Sequence, residues 1–271
     1  MNAINIRKGL GALEAEVIAD LVSEGKVIFS IDELAEKTRS QVKARKMASR
    51  LVKKKWLERI ARGTYLVLEL GAGSRPEWTA DAYYIASKLV SPHYIGYYNM
   101  LNDYGWTEQV PLSVTVATTK RLKNREIHGV KYEFITLEKN KFFGTISKYL
   151  RGHAINVSDP EKTIVDALDQ PKYCGGINEV AKALKNSRTQ LDWRKLIHYA
   201  ERLGNGAVFK RLGYLIELMQ VEIDSTIMDK IKNNVTEGYS LLYPGAGKQG
   251  HHNSKWNLIL NVELSKQKVL A

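Results

Sequence analysis

The sequence predicts an α+β protein in two parts: a small N-terminal domain of short helices closed by a β-hairpin, then a larger mixed α/β domain with a small sheet and several helices. Three observations predict it. The first is charge: Lys37 to Arg62 holds eleven of the 41 Lys and Arg but one of the 29 acids, so the remaining 30 basic and 28 acidic residues nearly balance. The second is a pair of capping-box patterns eight residues apart, Ser30-Ile31-Asp32-Glu33 and Thr38-Arg39-Ser40-Gln41, followed by two β-prone runs. The third is Gly71-Ala72-Gly73-Ser74-Arg75-Pro76, a glycine-, serine- and proline-rich stretch between patterned segments. These divide the chain into a domain over residues 1–70, a linker over 71–77 and a second domain over 78–271.

Composition narrows the class. An apolar content of 44% with 26% charged residues suits a folded globular chain. No apolar run reaches the roughly 18–20 residues of a membrane span, and the N-terminus lacks the pattern of a secretory signal. One cysteine, Cys174, offers neither an intrachain disulfide nor a zinc cluster. A cytoplasmic protein without a membrane partner is the expectation.

In the first domain, Leu13, Val17, Ile18 and Leu21 fall at helical spacing, with Glu14, Glu16 and Asp20 expected outward and Gly25 as a stop. Val27-Ile28-Phe29 is a short β-prone run. A short helix then begins at the first box and ends near Lys37. The second box leaves room for a tight turn before the next helix, which is the helix-turn-helix arrangement. Projected at helical pitch, Ala44, Met47, Ala48, Leu51 and Val52 lie on one side of that helix. Arg39, Lys43, Lys46, Arg50, Lys53 and Lys54 gather on the other. Trp56 to Ile60 and Thr64 to Leu68 then form a hairpin through Ala61-Arg62-Gly63.

Helix, strand, helix, helix and hairpin in that order resemble a winged helix-turn-helix domain, with KKKWLERIARGTYLV at the wing. One departure is Lys55, where many such domains place glycine, so the helix is expected to end less sharply. A helix of this kind enters the major groove with its first turns at the base edges and its flanks at phosphates. Ser40, Gln41, Lys43 and Arg45 are therefore the candidates for base contact. Val42, which projects near the basic side, suits a thymine methyl, although a simple defect in the pattern explains it as well. Lys46, Arg50, Lys53 and Lys54 are expected at phosphates. Arg59 and Arg62 on the wing are expected at the backbone or the minor groove.

The second domain opens on a helical pattern over Trp78 to Leu89, with Ala82, Ile85, Ala86 and Leu89 on one side. Ile95 to Tyr104 reads as a helix closed by Gly105. Strands are expected over Leu112 to Ala117 and Val130 to Leu137, on either side of a basic turn. A helix ending in Tyr104-Gly105, then Trp106-Thr107-Glu108-Gln109-Val110-Pro111, then a strand closing on Val116-Ala117-Thr118-Thr119, resembles the AbiEi family of antitoxins from type IV toxin–antitoxin systems. Val157 to Leu168, Phe209 to Leu215 and Lys255 to Leu258 fit the same family, so the resemblance runs through nearly the whole chain.

The resemblance implies an N-terminal domain that binds double-stranded operator DNA, at repeats upstream of its own operon, and represses it. It also implies a C-terminal domain that counters a nucleotidyltransferase-type toxin without a stable complex, in an abortive-infection, antiviral role. Neither composition nor periodicity carries these implications. The alternative is a winged-helix regulator whose second domain senses a ligand or partner and opposes no toxin.

No enzyme reading finds support in the residues, and no cofactor or metal is expected. Asp159-Pro160-Glu161-Lys162 has the wrong order for a metal-dependent nuclease and reads as a helix start, with Ser158 or Asp159 as cap and Pro160 in the first turn. Residues 243–252 (YPGAGKQGHH) lack the first glycine and the Ser or Thr of a phosphate loop. Adjacent His251 and His252 point apart on an extended chain. Three further helices are expected at 177–185, 191–203 and 206–221, separated in part by Gly204-Asn205-Gly206, and a strand over Lys255 to Val262.

Overall fold

The computed structural model describes residues 8–68, 78–150 and 153–264. The chain divides into two compact units, Met1–Ser91 and Pro92–Ala271. The stretch expected as a linker lies outside the described residues.

The first unit begins with α1 (Ala12–Ser23), β1 (Ile28–Ser30), α2 (Ile31–Thr38) and α3 (Gln41–Lys53). β2 (Leu57–Ala61) and β3 (Thr64–Val67) form the hairpin, and β1 adds to its far side in the order β1-β3-β2, all antiparallel. α4 (Trp78–Leu89) follows and buries Ala82, Ile85, Ala86 and Leu89, the expected side. Ser30 caps α2 as a full capping box: its Oγ accepts from the Glu33 N–H at 3.1 Å, and its own N–H donates to Glu33 Oε2 at 2.7 Å. Val17, Ile18 and Leu21 of α1 meet Leu34 of α2 and Ala44, Met47, Ala48 and Leu51 of α3 in one core under the small sheet.

Three expectations change here. Leu13 stands 58% exposed while Glu14 is buried, because Glu14 sits at the third helical position and turns back to the cap. The second box does not form: Ser40, and not Thr38, caps α3, and the Thr38 hydroxyl instead donates to the carbonyls of Leu34 and Ser40. The chain needs both Arg39, left-handed at φ 53°, and Ser40 to turn between the helices. Lys55 ends α3 sharply after all. It adopts φ 62°, its N–H donates to Val52 O at 3.1 Å, and the Trp56 N–H donates to Leu51 O at 3.0 Å. That is the Schellman geometry usually given to glycine.

The second unit holds a six-stranded mixed sheet in the order β6-β7-β5-β4-β9-β8. Its strands are β4 (Tyr94–Ile95), β5 (Ser113–Thr118), β6 (Arg125–Ile127), β7 (Val130–Thr136), β8 (Thr145–Leu150) and β9 (His153–Ser158). β5 pairs parallel with β7, and β4 with β9. Helix α5 (Tyr98–Asp103) lies between β4 and β5 in sequence. After β9 come α6 (Pro160–Asp169), α7 (Ile177–Ser187), α8 (Trp193–Leu203), α9 (Gly206–Met219) and α10 (Ser225–Asn233). A second sheet closes the unit: β10 (Ser240–Leu241), β11 (His251–Asn253) and β12 (Leu258–Leu260), ordered β10-β12-β11. The expected helix from Ile95 is shorter than read, since Tyr94–Ile95 pairs in the sheet and Tyr97 takes φ 56° before α5 begins. The expected strand from Lys255 reduces to Leu258–Leu260 because Trp256 is held by Asn253 in a turn. Arg125–Ile127, expected as turn, is an edge strand.

The segments that carry the family resemblance meet in this core. The Tyr104 hydroxyl donates to Ser158 O at 2.8 Å, tying the Tyr-Gly helix end to the start of α6. Arg211 Nη1 donates to Leu168 O at 2.6 Å. Gly213 on α9 faces the ring of Trp256, where a Cβ has no room, and Trp256 Nε1 donates to Glu217 at 2.8 Å. The glycine is needed for close approach, not for its backbone angle.

Candidate nucleic-acid interface

The basic helix α3 is built as the pattern requires. Ala44, Met47, Ala48 and Leu51 are buried, and Val52 is half-buried at the edge of that side. The ridge directly opposite consists of Val42, Lys46, Ser49 and Lys53, all exposed, with Val42 at 63%. Lys43 and Arg50 lie along one flank of this ridge and Arg45 along the other, next to Gln41. Four cations of the helix, Lys43, Arg45, Lys46 and Lys53, make no ion pair among the described residues. Such a face meets solvent as concentrated positive charge.

Other predicted residues carry local duties. Ser40 Oγ is occupied as the cap, accepting from the Lys43 N–H at 3.4 Å. Arg39 is exposed at the turn into α3. Gln41 Nε2 donates to Asp32 Oδ1 on α2 at 2.7 Å, so the amide is oriented by the preceding helix. Arg59 and Arg62 are exposed on the hairpin, with Arg59 Nε donating to Ala61 O at 3.3 Å where the register shifts. Thus the structure brings the α3 residues onto one convex surface and sets the two wing arginines on the adjoining hairpin of the same unit.

Two of the expected phosphate contacts are differently placed. Glu14 on α1 is 5% exposed and accepts from Lys54 Nζ at 2.6 Å, from the Gly11 N–H at 3.0 Å and from Arg50 Nε at 3.1 Å. The Lys54 hydrogen bond, with help from the Gly11 amide and Arg50, holds the Glu14 carboxyl down at about 2, against the opposing effect of burial. Lys37 is likewise paired, with Glu24. The positive charge of the window is therefore trimmed at its base and left open along its ridge. The spacing assigned Glu14 to solvent and Asp32 only to the first capping box, so neither was expected to hold a side chain of α3. The signal for Glu14 was present in Gly11-Ala12-Leu13-Glu14, a capping-box spacing with glycine at the cap.

In the second unit a group of charged residues at the start of α6 turns inward. Asp159 caps α6, accepting from the Lys162 N–H at 2.8 Å, and its other oxygen takes the Tyr199 hydroxyl at 2.9 Å and Lys195 at 3.1 Å. Glu161 accepts from the Asp192 N–H at 2.9 Å and pairs with Lys195 at 2.7 Å. Lys162 pairs with Asp166, which also accepts from the Tyr94 hydroxyl at 2.7 Å. Among the described residues no group of three or more His, Cys, Asp or Glu is placed to hold a metal. No described helix is long and apolar enough to cross a membrane.

Residues 16–67, from α1 through β3, match the family model described as "Transcriptional regulator, AbiEi antitoxin". This stretch is similar to the N-terminal part of that family. No curated protein matches the chain by sequence. Among solved structures, the RV2827C protein from Mycobacterium tuberculosis is similar, with a TM-score of 0.63 at 12% identity over 98% of this chain and 96% of that one. At that identity the likeness concerns the fold alone.

Proposed function

We propose that this chain is a DNA-binding autorepressor and antitoxin of a type IV toxin–antitoxin system, acting in the cytoplasm against a nucleotidyltransferase-type toxin. The observation that carries the DNA-binding part is the outward face of α3, whose ridge and flanks hold four cations unpaired among the described residues, in a domain that matches a family of transcriptional regulators. In this reading residues 1–70 bind operator DNA, at repeats upstream of the protein's own operon, and residues 78–271 form the antitoxin domain. α3 lies in the major groove. Gln41, Val42, Lys43 and Arg45 read base edges, Val42 against a thymine methyl. Lys46, Arg50 and Lys53 meet phosphates, and Arg59 and Arg62 follow the flanking backbone or minor groove. The toxin and autorepression rest on family resemblance, supported by the motifs that join in the second unit.

The test is a gel shift of the full-length protein on the duplex upstream of its own gene. Affinity should fall with salt at a slope of about −0.9 per phosphate neutralised. Gln41→Ala should cost about 1–3 kcal/mol of discrimination at one base pair, as expected for a lost bidentate contact. Lys53→Ala should weaken all sequences alike. Equal effects of both on random DNA would refute this division of roles. A neighbouring gene for a nucleotidyltransferase would separate the antitoxin from a regulator that senses a ligand.

A further inference from the structure

Arg50 and Lys54 stand one turn apart on the flank of α3 that faces α1, and both are held by the same buried carboxylate, Glu14. They are held differently. Lys54 is joined through Nζ, the atom that carries its charge, and its side chain is 25% exposed. Arg50 is joined through Nε, its side chain is 56% exposed, and Nη1 and Nη2 make no hydrogen bond among the described residues. A guanidinium gripped at Nε still presents its two terminal nitrogens, an edge that can take two oxygens of one phosphate. An ammonium gripped at Nζ has no such second edge.

We propose that Glu14 is a positioning residue for nucleic-acid binding: it orients Arg50 as a pre-set clamp for a backbone phosphate and withdraws Lys54 from the DNA surface. This rests on the DNA-binding reading above. The orientation is determined within one unit, by a carboxylate that is itself fixed at the start of α1 through the Gly11 amide. Rotamer freedom that Arg50 would lose on meeting DNA is removed in advance, which is the general advantage of preorganisation. A lysine in place of Arg50 would keep the charge but could not serve Glu14 and a phosphate through separate nitrogens of one plane.

Three variants of the full-length protein test this on the same upstream duplex. Arg50→Lys keeps the net charge and should weaken binding about fivefold. Lys54→Gln removes a charge yet should weaken binding less than Arg50→Lys does. Glu14→Gln raises the net charge by one, so charge alone would tighten binding, whereas loss of positioning should weaken it. Added to Arg50→Lys, Glu14→Gln should bring no further loss. The proposal is overturned if Glu14→Gln tightens binding, if Arg50→Lys binds like the parent, or if Lys54→Gln is the worse of the two. Should Glu14→Gln fail to fold, as read by a thermal melt, the order of Arg50→Lys and Lys54→Gln still decides. A parent protein with no salt-dependent affinity for duplex DNA would remove the underlying reading instead, a result distinct from all of these.

Discussion

Two carboxylates, one in each unit, each accept from a lysine, yet their acidities are shifted in opposite directions. Glu14 is held at about 2 by Lys54, the Gly11 amide and Arg50. Asp166 is pushed above its ordinary 3.8 by burial, which outweighs the pairing with Lys162 and the hydrogen bond from Tyr94. The chemistry of the partners is alike; depth and donor number differ. Glu14 lies just beneath the surface with three donors, two of them cationic. Asp166 and Lys162 are almost completely shielded, with the lysine lying over the rings of Phe143 and Tyr94 at 4.7 and 5.6 Å from their centroids. A buried pair loses much of its attraction to desolvation, while a shallow, multiply donated carboxylate keeps it. The first unit thus uses its acids to arrange cations that face solvent. The second uses its ions to fasten helix α6 into a core.

The largest effect that would expose this difference is Asp166→Ala. It leaves Lys162 buried without its counter-charge, and about 3–5 kcal/mol of stability should be lost on urea unfolding. Replacing both partners, Lys162→Met with Asp166→Leu, should cost less than the single change. A loss below about 1 kcal/mol for Asp166→Ala would mean that the pair fastens little.

Glu14→Gln should cost the first unit about 1.5–3 kcal/mol at neutral pH, since hydrogen bonds to a charged group are lost. The pH dependence fixes the sign. A carboxyl whose folded value is depressed contributes stability above its unfolded value of about 4.5, and that contribution disappears as pH falls toward 2. Asp166 acts oppositely, because a raised folded value favours the native state as pH falls through it. Hydrogen exchange of the α3 amides between pH 5 and 2 should therefore show a loss of protection that Glu14→Gln flattens. An unchanged acid profile in that variant would argue that the Glu14 cluster is already broken in solution.

How far these features were legible follows from the same contrast. The apolar side of α3, the first capping box and the hairpin are local patterns, and each appears where the residues place it. The inward-facing ions of α6 were legible only as a helix start, because pairing across forty residues, as between Asp159 and Tyr199, leaves no periodic mark. β8 escaped because Thr145, Ile146 and Ser147 are all exposed on an edge strand, so no alternation of apolar residues betrays it. α10 escaped because its buried side is reduced to Ile227 and Ile231. Glu14 was read outward because spacing alone assigns a charged residue to solvent, and the cap that turned it inward is a backbone feature.

The smallest effect returns to the end of α3. α1 and α3 close with the same pair of hydrogen bonds: Gly25 to Val22 and Lys26 to Leu21 in one, Lys55 to Val52 and Trp56 to Leu51 in the other. The left-handed residue is Gly25 at φ 71° in α1 and Lys55 at φ 62° in α3. A side chain in that conformation costs about 1–2 kcal/mol, partly offset by the extra freedom glycine would bring to the unfolded chain. Lys55→Gly should therefore raise stability by up to about 1 kcal/mol, read as a higher urea midpoint with unchanged slope. If the midpoint falls instead, the Lys55 side chain contributes more than its backbone strain removes. The sharp stop before Trp56 would then depend on a contact specific to this chain and not on helix-end geometry that glycine could supply.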